Sequence, residues 1–188
     1  MKLEDCVKEI YLGLNKKETR HTSNDKTICY KLLTIKSVNN KFINTDALGT
    51  YEDLTKIDEK FLTKTGDIII CSKPPYNVIL IESDNEGILV PSNFIILRDI
   101  DINKDYLYNY LNLLGSNMKL DKEDENTNIT KTDIEQIKIT IDDKVMKKIS
   151  ELCSKINKRQ KAYGKLLDND QELIKMVYLK GGIDLENE

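Results

Sequence analysis

Residues 63–81 read TKTGDIIICSKPPYNVILI, and this stretch decides the fold. Two short apolar runs, at 68–71 and 78–81, flank a loop with a lysine, two prolines, a tyrosine and an asparagine. Runs this short, with no polar residue alternating through them, suit strands covered on both faces better than helices. They predict a β-rich core with loop 73–77 at the tip of a hairpin.

Working outward, ICYKLLTIKSV (28–38) and KFINTDAL (41–48) also read as strands, with Asn39 and Asn40 as their turn. YEDLTKIDEKFL (51–62) reads as a connection with a helical turn, and GILVPSNFIILR (87–98) as a third apolar run that Pro91 marks as an edge or a break. Such a series predicts a small curved sheet rather than alternating β/α units. At the start, Leu3, Val7, Ile10, Tyr11 and Leu14 stand at helical spacing, with Gly13 as a helix stop. Tyr106, Leu107, Tyr110, Leu111 and Leu114 repeat that spacing ahead of Gly115. A polar loop over 117–133 and a brief strand over 134–141 follow.

From Asp142 onward the period is that of a long helix. Val145, Ile149, Leu152, Ile156, Arg159, Tyr163, Leu166, Asp170, Leu173 and Val177 alternate spacings of four and three, with Arg159 and Asp170 as polar intrusions into the seam. A stripe this narrow suits a partner helix better than a globular core. Gly164 and the residues 168–170 are candidate breaks, because Asn169 and Glu172 could cap a second helix. Ending near Leu167, the helix is about 39 Å long; unbroken to Leu179 it is nearer ~57 Å. The expected class is α+β: a small curved β-rich domain over 1–141, then a coiled-coil-like helix over 142–188.

Composition narrows the function. The chain has 188 residues, 39% of them hydrophobic, and a formal charge of −3. No apolar stretch approaches the roughly 20 residues of a membrane span, and the N-terminus carries acidic residues where a signal peptide needs an apolar segment. A cytoplasmic location and no membrane partner are expected. Cys6, Cys29, Cys71 and Cys153 form no C-x-x-C pair, and His21 is the single histidine, so neither a metal site nor a cofactor is expected. Charge is uneven: residues 141–165 hold eight basic residues against three acidic, a local excess of five.

Several motifs come in an order that resembles one family. FLTKTGDIII places a leucine shortly before Gly66 and Asp67, SNFIILR follows as a late core strand, KDYLYNYL as a small helix, and ITKTDIEQIKITI leads into the long helix. This order resembles the DNA-specificity subunits of type I restriction-modification systems, in which each half is a target recognition domain followed by a long helix. Family members commonly hold two recognition domains and two antiparallel helices, whereas one of each is legible here, as in a half-subunit. ITIDDKVMKKI also stands where the family has a proline-containing segment ending in Glu-Gln.

The resemblance implies a non-enzymatic protein that binds double-stranded DNA, homodimerises, and directs a methyltransferase subunit, with a restriction subunit as an optional further partner. A two-fold pair of helices would act as a spacer, and ~39 Å corresponds to roughly 11 base pairs. The dimerisation residues are then Val145, Ile149, Leu152, Ile156, Tyr163 and Leu166.

Loop 73–77 has the outline of an amino-methyltransferase signature, but position 73 is a lysine, which has donors and no acceptor for a target amine. As a binding loop it offers Lys73 to phosphate and Tyr76 and Asn77 to bases or sugars; as a plain strand connection it packs its tyrosine on its own sheet, and the two stand level. Lys16, Lys17, Arg20 and His21 are the other candidate DNA contacts, with Arg20 suited to bidentate guanine readout. Asn93 and Arg98 complete the set, although a strand residue can equally point inward. The basic helix residues Lys155, Lys158 and Arg159 could face phosphates or flank a coiled coil. Residues 58–60, DEK, lack the second acidic partner of a nuclease site, and no acid-base pair can be assembled. The competing class is a protein-interaction module that uses the same helix and reads no DNA.

Overall fold

The stretch 63–81 forms the expected hairpin, and a third strand organises the sheet around it. The structure, a computed structural model, describes residues 1–15, 27–38, 42–117, 128–140 and 142–180. They form two compact units, Met1–Asp142 and Asp143–Glu188. In the first unit the strands are β1 (Val7–Leu12), β2 (Ile28–Leu32), β3 (Gly49–Asp53), β4 (Ile68–Cys71), β5 (Val78–Leu80) and β6 (Phe94–Ile100). Helices α1 (Lys104–Asn117) and α2 (Lys131–Glu135) follow, and the second unit is built on α3 (Asp143–Lys180).

A four-stranded antiparallel sheet has the order β1-β6-β4-β5, and β2 and β3 pair as a second ribbon. Register explains why β4 and β6 carry no polar alternation. Ile69 lies beside Ile96 and Cys71 beside Phe94 on one face, in a cluster with Leu33, Ile79 and Val90. The alternate residues Ile68, Leu97, Ile70 and Ile95 lie on the other face and are equally buried, and α1 packs against β5 and α2 against β1. Both faces are covered, so both must be apolar.

Four expectations change. Residues 3–14 are not a helix: after a short 3-10 turn at Leu3–Asp5 the chain extends as edge strand β1, paired with β6 from far along the sequence. Gly13 is not a helix stop. A Cβ there would strike the carbonyls of Val90 and Pro91, so the residue permits two backbones to meet. Among the described residues of the expected strand 41–48, only Ile43 forms a bridge, to Val38; β2 takes β3 as its partner instead, after a 3-10 turn at Thr45–Ala47. Residues 131–135, expected as the end of a polar loop and the start of a strand, are helical, because Thr130 and Asp133 form a reciprocal cap at the N-terminus of α2. The turn expected at Asn39 and Asn40 lies outside the described residues.

Helix α1 runs through Gly115, and α3 runs without a break through Gly164 and positions 168–170 over 38 residues, about 57 Å. The 39 Å length, and the 11 base pairs drawn from it, therefore do not hold. Val145, Leu152, Ile156, Tyr163 and Leu166 are exposed, and Ile149 is half-buried.

Replacing Gly13 with alanine should force the end of β1 away from residues 90–91 and cost about 1–3 kcal/mol, read as a lower midpoint in urea unfolding. A midpoint unchanged from the parent chain would contradict this account of the close approach.

Candidate nucleic-acid interface

Antiparallel register sorts the loops onto two ends of the sheet. Phe94 begins β6 beside Cys71 at the end of β4, and Gly13 donates its N–H to the Phe94 carbonyl just past β1. Loop 73–77, residues 91–93 and residues 13–15 therefore share one end. Arg98, Asp67 and Val7 lie toward the other.

At the loop end, the Ser72 N–H and hydroxyl both donate to the Asn93 carbonyl, at 2.9 Å each. The Ser72 carbonyl accepts from the Ile129 N–H at 2.8 Å. Residues 73–76 close a turn through the Tyr76 N–H and the Lys73 carbonyl (2.8 Å), with a cis bond between Pro74 and Pro75. Lys73, Pro74 and Pro75 are exposed, and Tyr76 and Asn77 are half-buried. The Asn77 amide donates to the Val38 carbonyl at 2.7 Å. Its donor holds the loop against the neighbouring turn, so Asn77 is a positioning residue rather than the base contact expected.

Beside this loop runs an open groove of about 460 Å³, lined by Asn15, residues 32–36 and residues 91–93. Among the described residues that line it, Lys36 is the charged one and none is a carboxylate. The cavities along β1 and around Arg98 each contain several carboxylates. Groove geometry and sign together favour an anionic ligand here. Thr34 and Ser37 brace the floor: the Thr34 N–H donates to the Ser37 hydroxyl at 3.0 Å, and that hydroxyl donates to the Thr34 carbonyl at 2.8 Å.

Of the residues singled out in the sequence, Lys73, Tyr76 and Asn93 belong to this end. Lys16, Lys17, Arg20 and His21 lie outside the described residues, in the segment that starts directly after groove residue Asn15. Asn15, Lys36 and Ser92 were not legible as site residues, since only the pairing of distant strands brings them together.

Arg98 must be withdrawn from the candidate DNA contacts. It is 7% exposed, and its Nε and Nη2 donate to the two Asp67 carboxylate oxygens at 2.9 and 2.6 Å. Nη2 also donates to the Leu62 carbonyl (2.8 Å) and Nη1 to that of Lys60 (3.4 Å). The Tyr11 ring lies 5.8 Å from the guanidinium, and the Tyr11 hydroxyl donates to the Lys60 carbonyl at 2.7 Å. The hydrogen bonds that Arg98 donates to Asp67 raise its pKa, while burial pushes the Tyr11 phenol up to about 12. Asp58, the first residue of DEK, caps the 3-10 turn Glu59–Phe61 by accepting the Lys60 N–H. Burial raises the Cys71 thiol, which disfavours the nucleophilic thiolate.

With this geometry in hand, a fold likeness can be placed. One solved chain, from a structure described as the structural basis underlying complex assembly and conformational transition of the type I R-M system, matches with a TM-score of 0.57 at 13% identity. The match covers 94% of this chain and 42% of that one, so the chain spans less than half of its structural neighbour. The likeness is one of fold: an α+β arrangement also found within a chain of a type I restriction-modification complex. No family model matches the sequence, and no curated protein does. No described helix is long and apolar enough to cross a membrane.

Changing Arg98 to leucine leaves the Asp67 carboxylate buried without its cation, held by the Lys64 N–H, and should cost about 3–5 kcal/mol. Changing exposed Lys73 to alanine should stay within about 0.5 kcal/mol of the parent. Chemical denaturation separates these, and an Arg98 variant as stable as the Lys73 variant would show that the pair is not structural.

Proposed function

We propose that this chain is a sequence-specific DNA-binding half-subunit of a type I-like restriction-modification system. Its globular unit reads one half of a bipartite site with the loop end of the sheet, and α3 joins it to a second copy. The fold likeness over 94% of the chain carries this proposal. The groove, whose described lining holds a lysine and no carboxylate, exposed Lys73 and the basic segment after Asn15 support it from the chemistry of the residues themselves.

In this proposal Lys73 and Lys36 contact phosphates, while Tyr76 and Asn93 approach base edges or sugars. Phosphate contacts fix position and base contacts select sequence, so the two sets fail differently when changed. The protein performs no chemistry of its own; it brings an adenine methyltransferase partner to its target. The alternative, a protein-interaction module that binds through the α3 stripe, draws on the formal charge of −3, which works against DNA binding.

Gel-shift titration of the parent chain on random duplex separates the two. A DNA reader should lose about 100-fold or more in affinity between roughly 50 and 200 mM salt, and changing Lys73 or Lys36 to glutamate should weaken binding to every duplex alike. No shift at the lower salt would select the interaction module instead.

A further inference from the structure

Three backbone segments bring side-chain amides to the groove beside loop 73–77. The Leu14 N–H donates to the Val90 carbonyl at 2.7 Å and the Ser92 N–H to the Leu14 carbonyl at 2.8 Å, so residues 13–15 run alongside residues 90–92. The Leu33 N–H donates to the Leu89 carbonyl at 2.9 Å and the Leu89 N–H to the Lys31 carbonyl at 2.8 Å, which brings residues 31–33 to the same segment. Asn93 is held through its carbonyl, which accepts from Ser72, and this leaves its side chain to the groove. Within the described residues, the Asn15 and Asn93 amides and the Ser92 hydroxyl take part in no hydrogen bond. The Thr34 hydroxyl, by contrast, is engaged by the Ala47 carbonyl at 2.9 Å.

The chemistry of that lining discriminates between base pairs. An amide carries a donor and an acceptor side by side, which matches the N7 and N6–H of adenine in the major groove. Guanine shows two acceptors there and calls for arginine or lysine, while the cytosine amino group calls for a carboxylate. The described lining has two amides, one lysine and no carboxylate. Half-buried Ile35 and Pro91 add apolar lining, which suits the thymine methyl group.

We infer that this groove selects A·T pairs in the major groove of duplex DNA, with Asn93 and Asn15 each holding an adenine by its N6 and N7 edge. Ser92 lies beside them and Lys36 takes the flanking phosphate. This rests on the DNA reading proposed above, and adds to it the base that the groove selects and Asn15 as a second residue that selects it. An adenine that a methyltransferase modifies has to leave the stack. The adenines read here by their stacked edges are therefore other bases of the half-site.

Affinity selection from randomised duplex, run on the full chain and on its Asn93→Ala, Asn93→Asp and Asn15→Ala variants, tests the assignment. The parent motif should hold an adenine whose preference is lost in Asn93→Ala and turns to cytosine in Asn93→Asp, because a carboxylate accepts from N4. Asn15→Ala should relax a second adenine. Placing 7-deazaadenine at the first of these positions in the enriched duplex should weaken the parent about tenfold and leave Asn93→Ala unmoved. Urea unfolding should give all three variants the midpoint of the parent, since neither amide is bonded within the fold. Variants that enrich the parent motif with every base preference intact would overturn the assignment while leaving DNA reading in place. So would a parent motif with guanine or cytosine at the position that Asn93→Ala releases. A parent chain that enriches no sequence would instead remove the DNA reading itself, and the base assignment with it.

Discussion

Arg98 and Asp67 form an ion pair inside the globular unit, and the arrangement of the sheet depends on it. The guanidinium belongs to β6, the strand shared by β1 and β4, and its two bonds to Asp67 fix the turn that leads into β4. Its remaining donors reach the carbonyls of Leu62 and Lys60, which ties residues 58–67 across the same face. Removing either partner would strand a buried charge, so the pair tolerates no loose packing around it. GDI and IILR, quoted separately in the sequence, are the two halves of this one contact.

Fixing one end of the sheet leaves the opposite end to carry loops. The β4–β5 turn and residues 91–93 leave from the end away from Arg98, and hydrogen bonds through Ser72, Asn77 and Gly13 hold them in register. A stiff scaffold supports such loops without having to change when they do. Residues 91–93 line the groove together with Asn15 and residues 32–36, and its described lining holds a lysine and no carboxylate, a sign that suits an anionic ligand.

How much of this was legible depended on how local each signal was. The apolar runs of β4, β5 and β6 and the heptads of α3 are patterns within single segments, and they read correctly as strands and helix. Val7 and Ile10 misled because a spacing of three also suits a helix, while the pairing that makes β1 a strand comes from β6, some 90 residues away. Arg98 misled because a strand position does not reveal its side, and its partner Asp67 comes from another element. Asn15 and Lys36 join one groove only after β1, β2 and residues 91–93 have assembled, so no sequence window contains that site. α3 kept its course through Gly164, since one glycine inside a long helix costs only about 1 kcal/mol.

A single measurement addresses the central claim, that paired copies read two half-sites held at a set distance. Affinity selection of randomised duplex by the full chain, followed by sequencing of the enriched pool, should yield two short motifs related by two-fold symmetry across a spacer of constant length. Recovery of one contiguous asymmetric motif, or of no enriched sequence, would contradict it.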